Sequence, residues 1–349
     1  MEDILSLTYE ELENILKEQN QPKFRAGQLF YDLHNGKKID DITTIPQSIK
    51  QYFNENYITD LVEIIKVQES KDGTKKFLFK LYDNNLVEGV LMNYKFGYTL
   101  CVSSQVGCNM RCKFCASGLD GLVRNLSAGE ILGQILTVNT YLGGTVKERK
   151  VTNIVLMGSG EPLDNYDNVA KFMRILMCDK GINFGERNIS LSTCGVAKNI
   201  RKLADDGFKV NICLSLHASN EKARKELMPI SKAYSIEEVM DSFKYYYSKT
   251  KRRLLVEYIL IDGVNCSKEN ALELVKILKG MDCILNLIML NEVKETGLKR
   301  CSDETRDNFA KVLLANKIDV TTRRSLGNDI DGACGQLRRR YLKNDNETK

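Results

Sequence analysis

Cys108-Asn109-Met110-Arg111-Cys112-Lys113-Phe114-Cys115 is the stretch on which the reading of this chain turns. Three thiols at CxxxCxxC spacing can each take one iron of a cubic 4Fe–4S cluster, which leaves the fourth iron without a protein ligand. Structural zinc is the competing reading, but such sites want four ligands, typically as two CxxC pairs. The triplet also follows directly on a strand-like run, Tyr98–Ser103, that begins a series.

Downstream, the strand-like runs Val151–Met157, Asn188–Ser192, Val210–Leu216, Leu254–Ile261, Ile284–Leu290 and Asp319–Thr322 alternate with helical stretches. Ser127 with Glu130 and Ser235 with Glu238 form Ser-x-x-Glu boxes that open two of these helices, and Ser267 with Glu269 nearby opens another. Repeated βα units with continuous apolar strands predict an α/β fold on a parallel sheet, either a full or partial barrel or a doubly wound sheet. In such barrels the chemistry sits at the C-terminal ends of the strands, and the cysteine triplet stands at one of them.

Upstream, residues 1–60 read as short helices. Thr8 and Glu11 make a capping box before Leu12, Ile15 and Leu16. Pro22 precedes a second amphipathic segment, and Pro46 opens a third with Ile49 and Phe53 on one face. Residues 61–96 read as a β-ribbon with hairpin turns at Lys71-Asp72-Gly73 and Asp83-Asn84-Asn85. The expected organisation is a small helical accessory domain (1–60), a β-ribbon linker (61–96), a barrel ending in a cysteine loop (97–343) and a frayed tail (344–349).

Composition bounds the rest. A chain of 349 residues suits one large catalytic domain with a smaller appendage. No apolar run reaches membrane-spanning length, and Met1-Glu2-Asp3-Ile4 lacks the basic start of a signal peptide, so a cytoplasmic protein with no membrane partner is expected. Eleven cysteines, an odd number, argue against a disulfide framework in a reducing compartment. Cys178, Cys194, Cys213, Cys266, Cys283 and Cys301 lie singly in or beside apolar stretches and read as packing residues. Cys101, the triplet and Cys334 remain. A net charge of +5 is mild, but the clusters Arg252-Arg253, Arg323-Arg324 and Arg338-Arg339-Arg340, with Arg111, Lys113 and Arg124 of the cysteine loop, offer contacts for phosphates.

The triplet, together with Val87-Glu88-Gly89-Val90, Cys101-Val-Ser-Ser-Gln-Val-Gly-Cys108, Gly158-Ser-Gly-Glu-Pro-Leu163, Leu191-Ser-Thr-Cys-Gly195, Leu214-Ser-Leu-His217, Glu226-Leu-Met-Pro-Ile230 and Asp329-Ile-Asp-Gly-Ala-Cys-Gly-Gln-Leu337, resembles the radical SAM (S-adenosylmethionine) superfamily. Within it the likeness is to the RlmN family of RNA adenine methyltransferases, with its sibling Cfr, and covers nearly the whole chain. The resemblance implies a partial (β/α)6 barrel and one 4Fe–4S cluster on Cys108, Cys112 and Cys115, with SAM chelated at the open iron. It also implies a SAM site lined by Gly160, Glu161, Ser192, Ser215, Leu216, His217 and Asn291. The residues themselves say less. Gly158-Ser159-Gly160-Glu161 alone reads as a turn, and a lone histidine such as His217 is usually a satisfied neighbour.

The chemistry that the resemblance implies needs two further thiols. The amidine carbons of adenine are not nucleophilic, so direct attack on a SAM methyl fails there. Cys334 instead takes a methyl from one SAM by displacement. A second SAM, cleaved reductively at the cluster by an electron from a donor such as flavodoxin or ferredoxin, yields an adenosyl radical. That radical takes hydrogen from the S-methyl group, and the resulting carbon radical adds to the ring. Cys101 then attacks the Cys334 sulfur and frees the product, leaving a disulfide. Glu88 is the family's proton acceptor, with Cys101 as the other candidate base; as a bare residue Glu88 reads as a solvent-side strand glutamate.

The implied substrates are an adenosine in the peptidyl-transferase region of 23S rRNA and the adenosine 3′ of the anticodon in tRNA, each unstacked to be reached, with the enzyme acting as a monomer. Gln105-Val106-Gly107 and Glu161-Pro162 look like the C2-methylating RlmN branch; Cfr sequences tend to have Gln-Cys-Gly and Glu-Ala there. A C8 methyltransferase of the Cfr kind and a non-catalytic metal-binding RNA module are the alternatives.

Overall fold

Thr8 starts the first helix as its sequence requires: Glu11 N–H donates to Thr8 Oγ1 at 3.2 Å, and Thr8 N–H donates to Glu11 Oε2 at 2.8 Å. The computed structural model describes residues 1–292, 294–323, 326–327, 329–330, 337–338 and 341. Cys334, Arg324, Arg339, Arg340 and the tail 344–349 lie outside the described residues. The N-terminal helices are α1 (Tyr9–Glu18), α2 (Phe24–His34) and α3 (Gln47–Asn56). The ribbon is β1 (Val62–Glu69), β2 (Lys75–Leu81) and β3 (Leu86–Tyr94). Then come β4 (Gly97–Val102), a hairpin of β5 (Gln105–Gly107) and β6 (Leu122–Asn125), α4 (Ala128–Tyr141), β7 (Val151–Leu156), α5 (Tyr166–Met177), β8 (Ile189–Thr193), α6 (Ala197–Asp205) and β9 (Asn211–Ser215). Helices α7 (Glu221–Leu227) and α8 (Ile236–Thr250), β10 (Leu254–Leu260), α9 (Lys268–Leu278), β11 (Cys283–Met289), α10 (Asp303–Ala315) and β12 (Asp319–Thr322) complete the described elements. The capping boxes at Ser127 and Ser235 form as read, whereas Ser267 pairs reciprocally with Asn270 rather than with Glu269.

One ten-stranded sheet runs in the order β1-β2-β3-β4-β7-β8-β9-β10-β11-β12. From β4 onward every pairing is parallel. The order rises without reversal, so each crossover steps the same way; a doubly wound sheet would reverse at a switch point. Six strands from β4 to β11 are each followed by a helix, and β12 adds a seventh to the row. Among the described residues the two end strands are not paired with each other, which makes the barrel partial. The ribbon is the antiparallel margin of this same sheet, joined through the β3–β4 pairing with Val90 opposite Cys101.

Pleating sorts the residues to two faces. Leu100, Ile154 and Ile189 align across one face, as do Leu214, Val256 and Leu285; all are fully buried in one core that also takes in helix residues such as Ile131, Phe172 and Leu203. The other, concave face carries Cys101, Ser192, Ser215, Glu257 and Asn286 in its registers, continuing into Lys76 and Glu88 of the ribbon. The N-terminal helices share the same core. Ser6 Oγ accepts the Gly129 N–H at the start of α4 (2.8 Å).

His34 locks α2 to the barrel. Its Nδ1 accepts the Ile182 N–H at 3.1 Å, and its ring stacks on Phe30 at 4.2 Å. Burial pushes the His34 imidazole from 6.5 down to about 3. The folded value lies below the unfolded one, so the unfolded chain binds the extra proton. This stability is complete above pH 6.5 and is lost as pH falls toward 3. A His34→Gln variant should therefore lose denaturation free energy less steeply than the parent between pH 6.5 and 4, by at most about 1.4 kcal/mol per pH unit. Urea titrations at a series of pH values check this; parallel slopes would refute it.

Candidate active site

The cysteine loop hangs between β5 and β6, a hairpin too short to stand out in the sequence. Its neck is closed by glycines: a Cβ on Gly107 (φ +79°) would sit 2.0 Å from Gly121 O. Cys108 N–H donates to Gly121 O (3.0 Å) and Cys115 N–H to Cys112 O (3.1 Å). Lys113 N–H donates to Leu227 O at 2.9 Å, which fastens the loop to the end of α7. Phe114 meets the His217 ring edge-on at 4.8 Å.

Burial pushes the Cys108 thiol up to about 12, and Cys115 and Glu161 add to the shift. Cys112 is raised by burial too, then by Cys115 and Cys108, with Arg224 opposing. Thiols that disfavour each other's negative charge suit a site where cations neutralise them. Buried hydroxyls of Ser104 and Ser117, flanking the loop in sequence, have no hydrogen-bond partner among the described residues. No group of three His, Cys, Asp or Glu among the described residues is placed to hold a single metal ion. A cube asks less of the loop, because each sulfur takes a different iron. The donor set is three thiols from one loop, and it fits a 4Fe–4S cluster.

Gly158-Ser159-Gly160-Glu161 is zipped to the segment entering that loop. Ser104 and Gln105 N–H groups donate to Ser159 O (2.9 and 3.1 Å), Ser159 N–H to Ser103 Oγ (2.9 Å), and Glu161 N–H to Gln105 Oε1 (2.9 Å). The close approach that Gly160 permits is to Gln105: with φ +108°, a Cβ would lie 2.6 Å from Gln105 Cβ. Glu161 is buried, and both of its oxygens accept backbone N–H groups, Cys194 at 2.7 Å and Leu163 at 3.0 Å. Burial raises its carboxyl despite these bonds. The glutamate thus ties the ends of β7 and β8 together; a carboxylate oxygen with one N–H bond still has a second lone pair. Gly160→Ala should cost about 1–3 kcal/mol in backbone strain alone and lower the iron content of the purified protein. Chemical denaturation with iron analysis tests it, and unchanged values for both would refute it.

Ser192 and Ser215 meet near the C-terminal ends of β8 and β9, hydroxyls 3.3 Å apart on the concave face. Leu216 is buried, its N–H donating to Glu257 O at 3.1 Å. His217 adopts φ +56°. Its Nδ1 accepts the Ile259 N–H at 3.1 Å, and burial lowers its imidazole to about 3, so the ring is neutral with its proton on Nε2. Asn291 lies exposed just beyond β11.

Arg224 was not singled out from the sequence. It is fully buried and donates to Leu216 O (3.3 Å), Ser231 Oγ (3.0 Å) and Cys194 O (2.6 Å), bracing the loops that meet the cysteines. Among the packing cysteines, Cys194, Cys213, Cys283 and Cys301 are buried, and Cys178 and Cys266 are half-buried.

Glu88 is not on the solvent side. It is buried on the concave face, in the same pleat phase as Cys101. Its Oε2 lies 2.9 Å from Lys76 Nζ, and its Oε1 accepts the Arg338 N–H. Cys101 is buried at the C-terminal end of β4. The structure thus brings Cys101 and Glu88 onto the face that bears Ser192 and Ser215, while Cys334 falls outside the described residues.

Of the basic clusters, Arg252-Arg253 lies at the start of β10, away from the strand ends that hold the cysteines, with Arg253 paired to Asp282 (3.0 Å) and Asp319. Arg124 pairs with Asp83 and Glu130 at 2.7 Å each. Arg323 pairs with Glu257 at 3.3 Å. Arg111 and Lys113 are exposed beside a cavity of about 640 Å³ on the cysteine loop.

Residues 102–275 match the Radical SAM superfamily. A protein of Clostridium botulinum (strain Alaska E43 / Type E3), named "Probable dual-specificity RNA methyltransferase RlmN", is 49% identical over 345 residues, 98% of each chain. A Lachnospira eligens protein of the same name is 45% identical over 351 residues, covering 100% of this chain and 99% of its own. The crystal structure of a radical SAM methyltransferase from Sphaerobacter thermophilus superposes with a TM-score of 0.91 at 38% identity, over 96% of this chain and 99% of that one. With such identity over the full length, on a barrel whose strand ends gather a three-cysteine loop, the chain belongs to the RlmN family of radical SAM RNA methyltransferases.

Proposed function

We propose that this enzyme methylates C2 of one adenosine in the peptidyl-transferase region of 23S rRNA and the adenosine 3′ of the anticodon in tRNAs. The observation that carries the reading is the shared concave face: Glu88, Cys101 and the Ser192–Ser215 pair stand on one surface of one sheet, with the three-cysteine loop on the β5–β6 hairpin that follows the strand bearing Cys101. The relatives' name, dual-specificity RNA methyltransferase, supports two RNA substrates. Gln105-Val106-Gly107 and Glu161-Pro162 support C2 over C8.

Cys108, Cys112 and Cys115 would hold the cluster, and Gly160, Glu161, Ser192, Ser215, Leu216, His217 and Asn291 would line the SAM site. When bound, the cluster supplies the single electron that cleaves SAM to methionine and a 5′-deoxyadenosyl radical. Cys334 thiolate accepts a methyl group from a first SAM, so each turnover uses two. The S-methyl group on Cys334 loses a hydrogen atom and its carbon bonds to C2; the adduct gives back one electron, and Glu88 takes the ring proton. Cys101 thiolate then attacks the Cys334 sulfur, which breaks the sulfur–carbon bond; a proton completes the methyl group of the released base, and the disulfide left behind is reopened by a thiol reductant. Arg111 and Lys113, with residues 1–60, grip the RNA phosphates. A flavodoxin or ferredoxin donates the electron, and the enzyme acts as a cytoplasmic monomer. Among the described residues no helix is long and apolar enough to cross a membrane.

Mass spectrometry of rRNA and tRNA nucleosides from a deletion strain tests the reading. Loss of 2-methyladenosine from both RNAs is expected. Loss of 8-methyladenosine, or no loss, would refute it.

A further inference from the structure

Lys76 has no part in the chemistry described so far, yet it is wholly buried on the concave face of the ribbon. Burying an ammonium is unfavourable, and a Lys–Glu pair there is seldom more stabilising than apolar packing of the same size. Its placement therefore asks for a use. Register puts Lys76 opposite Val90, Leu78 opposite Glu88 and Val90 opposite Cys101, so Lys76, Glu88 and Cys101 share one face.

The Glu88 carboxylate is held from two sides. Lys76 Nζ sits 2.9 Å from one oxygen, and the Arg338 backbone N–H donates to the other. The neighbouring Leu337 is buried against Leu78 and Leu86, on the same stretch of ribbon. One carboxylate thus bridges the sheet and the C-terminal chain, at a residue four positions after Cys334.

We propose that Lys76 is a positioning residue: it fixes the Glu88 carboxylate so that Glu88 both faces the reacting base and seats the chain at Arg338. The first of these roles rests on the proposed function; the second does not. A hydrogen bond to a charged acceptor is worth on the order of a 10- to 100-fold change in an equilibrium, which sets the size of the expected effects.

The test uses the full chain with Lys76→Met, which keeps side-chain volume, and Lys76→Arg, which keeps the charge. Amide hydrogen exchange on protein free of iron and SAM should show Leu337 and Arg338 exchanging about tenfold or more faster in Lys76→Met, with β7 and β8 unchanged. In reconstituted enzyme, kcat for RNA methylation should fall about tenfold or more while KM for RNA stays within about twofold, and Lys76→Arg should restore part of kcat. Unchanged exchange overturns the seating role. Faster exchange with unchanged kcat overturns the positioning of Glu88 for reaction. Should Lys76→Met fail to fold, Lys76→Gln is read by the same exchange. Glu88→Gln separates the two layers: full kcat in that variant would sink Glu88 as proton acceptor, while the dependence of Arg338 exchange on Lys76 would stand or fall on its own.

Discussion

A Cys334→Ala variant will fold and assemble its cluster, yet transfer no methyl group to RNA. The cysteine triplet is a separate unit, closed at its neck by Gly107 and Gly121 and fastened to Leu227, and none of these contacts involves residue 334. Cluster absorbance and iron content should therefore match the parent. Methylation should drop by at least about 10³-fold, as expected when a covalent nucleophile is removed. Cys101→Ala should fail differently: Cys334 still accepts a methyl group, but the product is not released, and RNA should stay covalently attached to the protein. Denaturing electrophoresis of labelled RNA with each variant tells the two cysteines apart. Full methylation by Cys334→Ala would refute the carrier role.

Cys112→Ala should abolish both SAM cleavage and methylation. Two thiolates remain, and a site short of a direct ligand should bind iron at least about 100-fold more weakly, given that even outer partners of a metal ligand matter by 10- to 100-fold. The fold should survive, because the loop is held by backbone bonds at Cys108, Lys113 and Cys115 rather than by the Cys112 sulfur. The burial that raises the Cys112 thiol also predicts that iron loading in the parent weakens as pH falls, since each ligand must give up a proton to bind. Iron content, 5′-deoxyadenosine formation and circular dichroism on one anaerobic preparation check all three. A variant that keeps parental iron and cleavage would remove Cys112 from the ligand set.

What was legible in the sequence followed from repetition and local chemistry. The seven strand runs, the boxes at Thr8, Ser127 and Ser235, and the ribbon turns are each specified within a few residues, and each forms. The cysteine spacing is legible for the same reason. What was missed depends on residues far apart in the chain. The hairpin of three and four residues that presents the cysteine loop carries no periodicity. Lys76 and Arg224 look like ordinary surface charges until their partners arrive from other elements. Glu88 looked like a solvent-side residue because the burial of a ribbon face depends on what packs over it, here Leu337 and Arg338. The Gly158–Glu161 stretch reads as a turn by itself, and that Gly160 lets the chain approach Gln105 depends on a residue 55 positions earlier.

The proposed reaction needs a cube held by three sulfurs, with one iron left to SAM. Electron–nuclear double resonance of the reduced, anaerobically purified protein measures this directly, using SAM labelled with ¹⁵N at the amine and ¹⁷O at the carboxylate. Hyperfine coupling to both labels, lost when SAM is omitted, is the predicted result. Iron-free protein, or a cluster with no coupling to either label because a side chain holds the fourth iron, would contradict it.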